Sequence, residues 1–227
     1  TNKIMETKSY KISKLGEYNY SLISKGEYNS QLYSSILKSN ILTSTLHDRR
    51  KNIIYFTADI VQTLPEYIKS RPNSRMSQRE CAKLIYNLTT QIQCLEENNY
   101  ILYGYDLNDI VVINESTFID ASSEYILPLD LETNMITFYS PNMKPFFSNP
   151  ELIKLTKLPS SIHFKSSYYS LGVLVAFCML NKNLLQNGVI SDNDLETILN
   201  PIRHTKVYWF IKRCLNKRYE QRVMLFV

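Results

Sequence analysis

YGYDLNDIVVINESTFIDAS, residues 103–122, sets one aspartate, Asp106, just before two short apolar runs and another, Asp120, at their far end. The runs Ile110–Ile113 and Thr117–Ile119 are joined by Asn-Glu-Ser, the pattern of two short strands around a polar turn. A hairpin there places both carboxylates at one cleft.

The flanks are helical. Upstream, SQRE at 77–80 is a capping box, in which Ser77 accepts from the Glu80 amide while Glu80 reaches back. Cys81, Leu84, Ile85, Leu88, Ile92 and Leu95 then recur at three- and four-residue steps, predicting an amphipathic helix of about five turns. Downstream, YYSLGVLVAFCML (168–180) lacks a polar face and predicts a central helix buried on every side. A last stripe, Val207, Phe210, Ile211, Cys214 and Leu215, predicts a further helix beside Tyr208 and Trp209.

Residues Tyr10 to Lys38 are rich in Tyr, Ser, Leu and Ile with partial alternation, broken by SKGEYN (24–29) as by a turn, and read as a small antiparallel sheet. A polar, basic segment runs to Asn52. NIIYFTADIV then predicts a strand that leads into a short helix, TLPEYIKSR, with Pro65 in its first turn. The reading is an α+β chain of two units: 1–60, a reduced β-rich lobe, and 61–227, a mainly helical lobe carrying the hairpin and the buried central helix.

Composition excludes several classes. With 227 residues, 44% of them hydrophobic, the chain can bury a real core. The four cysteines stand far apart without a C-x-x-C pair and the three histidines are scattered, so neither a zinc site nor a disulfide framework is implied. The longest apolar run, near Leu171–Leu180, is too short for a bilayer, and TNKIMETKSYK has no signal-peptide core. We therefore expect no membrane span, no secretion and reduced thiols in a cytoplasmic setting; starting at Thr1 implies processing or trimming. The net charge of +5 concentrates at His47–Lys51, Lys69–Arg75 and Arg203–Arg218, clusters able to attract an anionic surface or nucleic acid.

The order of small sheet, linking strand, capped helix, Asp, hairpin, Asp and buried helix resembles that of a protein kinase domain, over most of the chain and best from residue 53 onward. YGYDL (103–107) resembles the catalytic loop His-Arg-Asp-Leu, and FIDAS (118–122) the Asp-Phe-Gly segment. SNPEL (148–152) resembles Ala-Pro-Glu, SYYSLGVLV the Asp-x-Trp-Ser-Leu-Gly opening of the buried helix, and CLNKRYEQR (214–222) the closing Cys-Leu-x-x-Asp-Pro-x-x-Arg. The resemblance implies a kinase-like fold, the catalytic-loop position for Asp106, a Mg2+ ligand in Asp120 if nucleotide binds, further nucleotide contacts from Asn108, Asp109 and Lys38, and a structural ion pair between Glu151 and Arg222.

The departures set the expected function. The five glycines stand apart, so no Gly-rich phosphate loop exists. Lys38, ending YSSILK, is the candidate for the strand lysine, yet Asp48 is the lone acid in residues 39–52. Gly104 and Tyr105 replace His-Arg, the loop is about two residues short, Ala121-Ser122 replace Phe-Gly, and Ser167 replaces the Asp that ties the loop down. Phosphoryl transfer depends on positioning and charge stabilisation, and each 1.4 kcal/mol lost is about tenfold in rate. The expectation is a pseudokinase, a protein-binding or scaffolding module with no cofactor, ATP and Mg2+ remaining as residual ligands. The alternatives are a divergent active Ser/Thr kinase using Asp106 and Asp120, and a basic structural or nucleic-acid-associated protein on the same scaffold. Heavy use of Asn, Lys, Ile, Tyr and Ser suggests an AT-rich genome, and the reduced small lobe resembles divergent kinase-like proteins of large DNA viruses, placing action in infected-cell cytoplasm or the virion.

Overall fold

Alternate burial along three strands sets the first layer. In the computed structural model, which describes residues 2–141 and 144–227, the chain begins β1 (Asn2–Glu6), β2 (Tyr10–Lys14), β3 (Asn19–Ser24), α1 (Asn29–Lys38), β4 (Thr43–Asp48), β5 (Ile53–Thr57). The five strands pair antiparallel in the order β1-β2-β3-β5-β4. Tyr10, Ile12, Tyr20, Leu22, Ile54 and Phe56 are buried, and the register sets Leu22 between Ile12 and Ile54 and Tyr20 opposite Phe56, their rings stacked.

The expected sheet over residues 10–38 is corrected in its last third: residues 29–38 are helix α1, not strand. Leu32, Tyr33, Ser35 and Ile36 are buried on one side of it, and α1 packs against a longer helix further along. Tertiary packing overrides the strand bias of Tyr33 and Ile36. Lys38 therefore ends a helix, exposed, rather than lying on a strand.

The next elements are β6 (Val61–Thr63), α2 (Leu64–Lys69), α3 (Gln78–Glu97), β7 (Tyr100–Leu102), β8 (Ile110–Ile113) and β9 (Thr117–Asp120). Both helices start at capping boxes, Thr63 with Glu66 and Ser77 with Glu80; the second was expected from the sequence. β8 and β9 form the expected hairpin, and β6 adds antiparallel to β8. At the hairpin turn Asn114, with φ 54°, accepts through Oδ1 from the amides of Asp59 and Ile60, at 2.8 and 3.2 Å. The connection between the two sheets is thereby tied to the hairpin.

The remainder comprises β10 (Ile126–Pro128), β11 (Met135–Phe138), α4 (Pro150–Ile153), β12 (Ser160–His163), α5 (Ser166–Leu180), α6 (Asp192–Leu199) and α7 (Lys206–Cys214). β10 pairs with β7, and β11 with β12. Helix α5 is the central one: thirteen of its fifteen residues are buried, and it packs on α3, α4 and α7. Among the described residues no helix is long and apolar enough to cross a membrane. Cys81, Cys178 and Cys214 are buried and Cys94 partly buried, all four as free thiols.

Gly172 lets α5 and α7 approach. A Cβ there would lie 2.8 Å from Cys214 Cβ and 3.0 Å from Leu215 Cδ2, closer than packed carbons tolerate. Gly172→Ala is therefore expected to destabilise by about 1–3 kcal/mol through overpacking, read as a lower urea midpoint at unchanged slope. An unchanged midpoint would mean that the helices part without cost.

Candidate functional site

The site grows from the loop between β7 and β8. Tyr105 exchanges backbone hydrogen bonds with Phe147, its amide donating at 3.2 Å and its carbonyl accepting at 2.8 Å. This close crossing explains Gly104, where a Cβ would sit 2.0 Å from Pro145 Cγ. Asp106 follows, half-buried; its Oδ1 accepts from the Phe146 amide at 2.8 Å and its Oδ2 from the Tyr125 hydroxyl at 2.5 Å.

Helix α5 anchors this loop, though not through the residue the sequence pointed to. Ser167 hydrogen-bonds back to the Phe164 carbonyl. One turn on, the Ser170 hydroxyl donates to the Tyr103 carbonyl at 2.8 Å while accepting from Asn149 Nδ2 at 3.1 Å. Asn149 in turn caps α4 by accepting from the Leu152 amide. A neutral relay thus fixes the backbone just before Asp106.

A single 3-10 turn, Leu107–Asp109, carries the chain from Asp106 into β8 and brings Asp109 under it. Asp109 is 4% exposed, and its Oδ2 has no hydrogen-bond partner among the described residues. Burial, reinforced by the neighbouring Asp106 and Glu124 charges, pushes its carboxyl up to about 7, with a Ser122 hydrogen bond pulling the other way. Asn108, exposed, contributes its carbonyl, which accepts from the Tyr10 hydroxyl at 2.6 Å.

Asp120, at the end of β9 opposite Ile110, is almost fully enclosed. Its Oδ1 accepts from the Ser122 amide at 2.9 Å, and its backbone is held on both sides by the Gln91 side chain of α3. Burial first, then the Asp109 charge, raises its carboxyl well above the usual range. Asp106 thus reaches solvent and Asp120 does not, so the hairpin does not set both carboxylates at one open cleft as the sequence suggested.

Glu124 completes an acidic centre and was not singled out from the sequence. One oxygen each from Asp106, Asp109 and Glu124 lie within 4.8 Å of one another, a group that does not include Asp120. The turn between β1 and β2 closes over it. Ser9 Oγ donates to Glu124 Oε2 at 2.8 Å, Lys8 Nζ lies 2.9 Å from Glu124 Oε1, and the Tyr10 ring is wholly buried beneath. A cavity of about 370 Å³ opens beside Glu124, lined also by Lys8, Lys25, Tyr28 and Ser123.

In comparisons with known proteins, no family model and no curated protein matches this chain.

Of the remaining sequence candidates, Lys38 stands apart from the acidic centre at the end of α1, where its charge acts on Cys94. Glu151 and Arg222 do meet: Arg222 Nη1 pairs with Glu151 Oε1, its Nε donates to the Asn216 carbonyl at 2.8 Å, and its guanidinium lies over the Tyr169 ring. Arg222 is 1% exposed. The contacts that sequence reasoning missed, through Lys8, Ser9, Tyr10 and Glu124, join residues about a hundred positions apart, for which no local pattern gives a signal.

Proposed function

We propose that the chain is a catalytically impaired protein kinase-like domain that acts by binding other proteins. The scaffold supports this reading: a sheet ordered β1-β2-β3-β5-β4 with one helix between its third and fourth strands, then capped α3, the Asp106 loop, the β8–β9 hairpin, buried α5 and the Glu151–Arg222 pair.

The groups that would hold a phosphate are missing. In a protein kinase the Gly-rich loop covers the phosphates, and a third-strand lysine pairs with a glutamate on the following helix. Here β3 reads NYSLIS and α1 reads NSQLYSSILK, so the strand has no lysine and the helix no acid. What joins α1 to the sheet is instead neutral: the Tyr33 hydroxyl accepts from the Ser24 amide at 2.7 Å and donates to the Asn52 carbonyl at 2.8 Å. The β1–β2 turn carries Lys8 and Ser9, whose side chains bond to Glu124, and at the start of β2 the Tyr10 hydroxyl donates to the Asn108 carbonyl. The observation that carries the proposal is that the third strand offers no lysine and the following helix no acid to hold a phosphate, while the β1–β2 turn is tied down to Glu124.

The magnesium of a kinase does not fit either. The aspartate that would hold it, Asp120, is enclosed and turned to the Ser122 amide, outside the group that offers oxygens to a cation. What persists is a folded surface without the means to position a phosphoryl group, the physical profile of a binding module.

The test is thermal unfolding with and without millimolar ATP at fixed free Mg2+. A ligand of the folded state at a hundred times its dissociation constant stabilises by about 2.7 kcal/mol, several degrees for a chain of this size. We expect ATP to add nothing to the midpoint that Mg2+ alone gives. A rise caused by ATP and lost in Asp120→Asn would overturn the proposal in favour of an active nucleotide site.

A further inference from the structure

The acidic centre contains a group whose bonding is incomplete. Asp109 is 4% exposed and its Oδ2 has no hydrogen-bond partner among the described residues. A buried carboxylate oxygen without a donor is costly, and what completes it is an N–H, an O–H or a cation. Asp106 and Glu124, both half-buried, flank it on the solvent side. Their own hydrogen bonds use only part of the roughly four lone-pair positions each carboxylate offers.

Among the described residues, the one cation placed on this group belongs to a side chain that is easily displaced. Lys8 Nζ sits 2.9 Å from Glu124 Oε1, yet the Lys8 side chain is 73% exposed. An exposed pair of this kind contributes little, and its long side chain keeps its freedom when released. The cavity beside Glu124 gives solvent access from the same side.

We propose that Asp106, Asp109 and Glu124 form a binding site for a hard divalent cation of calcium's size, with the Lys8 ammonium as its tethered competitor. The donors are all oxygens, which selects a hard cation over zinc or copper. Size then favours Ca2+. Three oxygens within 4.8 Å of one another lie close to the span of a Ca2+ shell, whose ligands stand at about 2.3–2.6 Å in a flexible arrangement, so small side-chain shifts bring all three onto one ion. Mg2+, at about 2.0–2.1 Å, demands near-ideal octahedral geometry and gives up its waters reluctantly, so an irregular carboxylate triad suits it less. Water on the solvent side supplies the remaining ligands. The site uses neither nucleotide nor Asp120, so it stands whatever the outcome with ATP.

The experiment is thermal unfolding of the full chain, first stripped with EDTA, then titrated with CaCl2 without nucleotide. Saturation at about ten times the dissociation constant is expected to raise the midpoint by roughly 3–6 °C. Asp109→Asn and Glu124→Gln, tested separately so that a folding defect in one does not decide the result, are expected to lose the response. Lys8→Ala, at an exposed position, is expected to bring half-saturation to a several-fold lower Ca2+ concentration. Failure to respond at about 10 mM Ca2+, an order above the weakest common calcium modules, overturns the site, as does a response that survives in both carboxylate variants. A Lys8→Ala titration coincident with the wild type removes the competitor.

Discussion

In EDTA, Asp109→Asn is expected to unfold at a higher temperature than the wild type at pH 8 and to lose part of the decline in stability between pH 4 and 7. The sign follows from the direction of the shift. The Asp109 carboxyl is raised to about 7 in the folded chain, against about 3.9 when unfolded. Below pH 4 both states hold the proton and the group is neutral to stability. Between the two values the unfolded chain releases it while the folded chain keeps it, so stability falls as pH rises, by about 1.4 kcal/mol per unit at most. Across the window this is on the order of 4 kcal/mol, complete above pH 7. Asn carries no charge to desolvate beside Asp106, Glu124 and Asp120. Because Asp120 is raised in the same sense, by burial and by Asp109, part of the slope stays in the variant. Chemical unfolding at pH 4 and pH 8 measures both ends; equal slopes in the two proteins would show that Asp109 ionises freely.

Glu151→Ala is expected to cost about 3 kcal/mol, near the lower end for a broken buried ion pair, because the Glu151 side chain keeps 22% of its surface while Arg222 keeps almost none. The loss is one of compensation. With Glu151 removed, the guanidinium remains over the Tyr169 ring with the Asn216 carbonyl as a polar neighbour, and Ser166 loses its acceptor. For a chain of this length the midpoint should fall by roughly 6–12 °C. Replacing both partners, Glu151→Leu with Arg222→Met, is expected to recover much of this, since neither charge is then stranded. If Glu151→Ala alone unfolds within a degree of the wild type, the pair is not what holds α4 to the C-terminal segment.

Elements whose signal lies within one turn or one strand were readable from the sequence: α3 from its capping box and stripe, α5 from its unbroken apolarity, the β8–β9 hairpin from its two runs. Helix α1 was not. Its Leu32, Tyr33 and Ile36 fit a helical step, but Tyr and Ile favour a strand until a second helix covers the face, and that helix begins forty residues later. The same limit applied at the acidic centre. Asp106, Asp109 and Asp120 stood out because they bracket a hairpin. Glu124, Lys8 and Tyr10 did not, because what gives them meaning is each other across the fold. Ser170 lay in plain view within SYYSLG, but the reading followed Ser167, and a short hydroxyl at the second position reached the loop that an aspartate was expected to reach from the first.

The bond from Tyr10 to the Asn108 carbonyl bears on the order in which the molecule assembles. It closes a loop of 98 residues, and that entropy is spent before any local gain returns it. Helix α3 and the β8–β9 hairpin form from near neighbours, so the first strands close over an acidic floor already in place. Deleting the Tyr10 hydroxyl should then hasten the departure of those strands more than it delays their arrival, which makes the β1–β2 turn the natural first point of opening in an otherwise closed molecule.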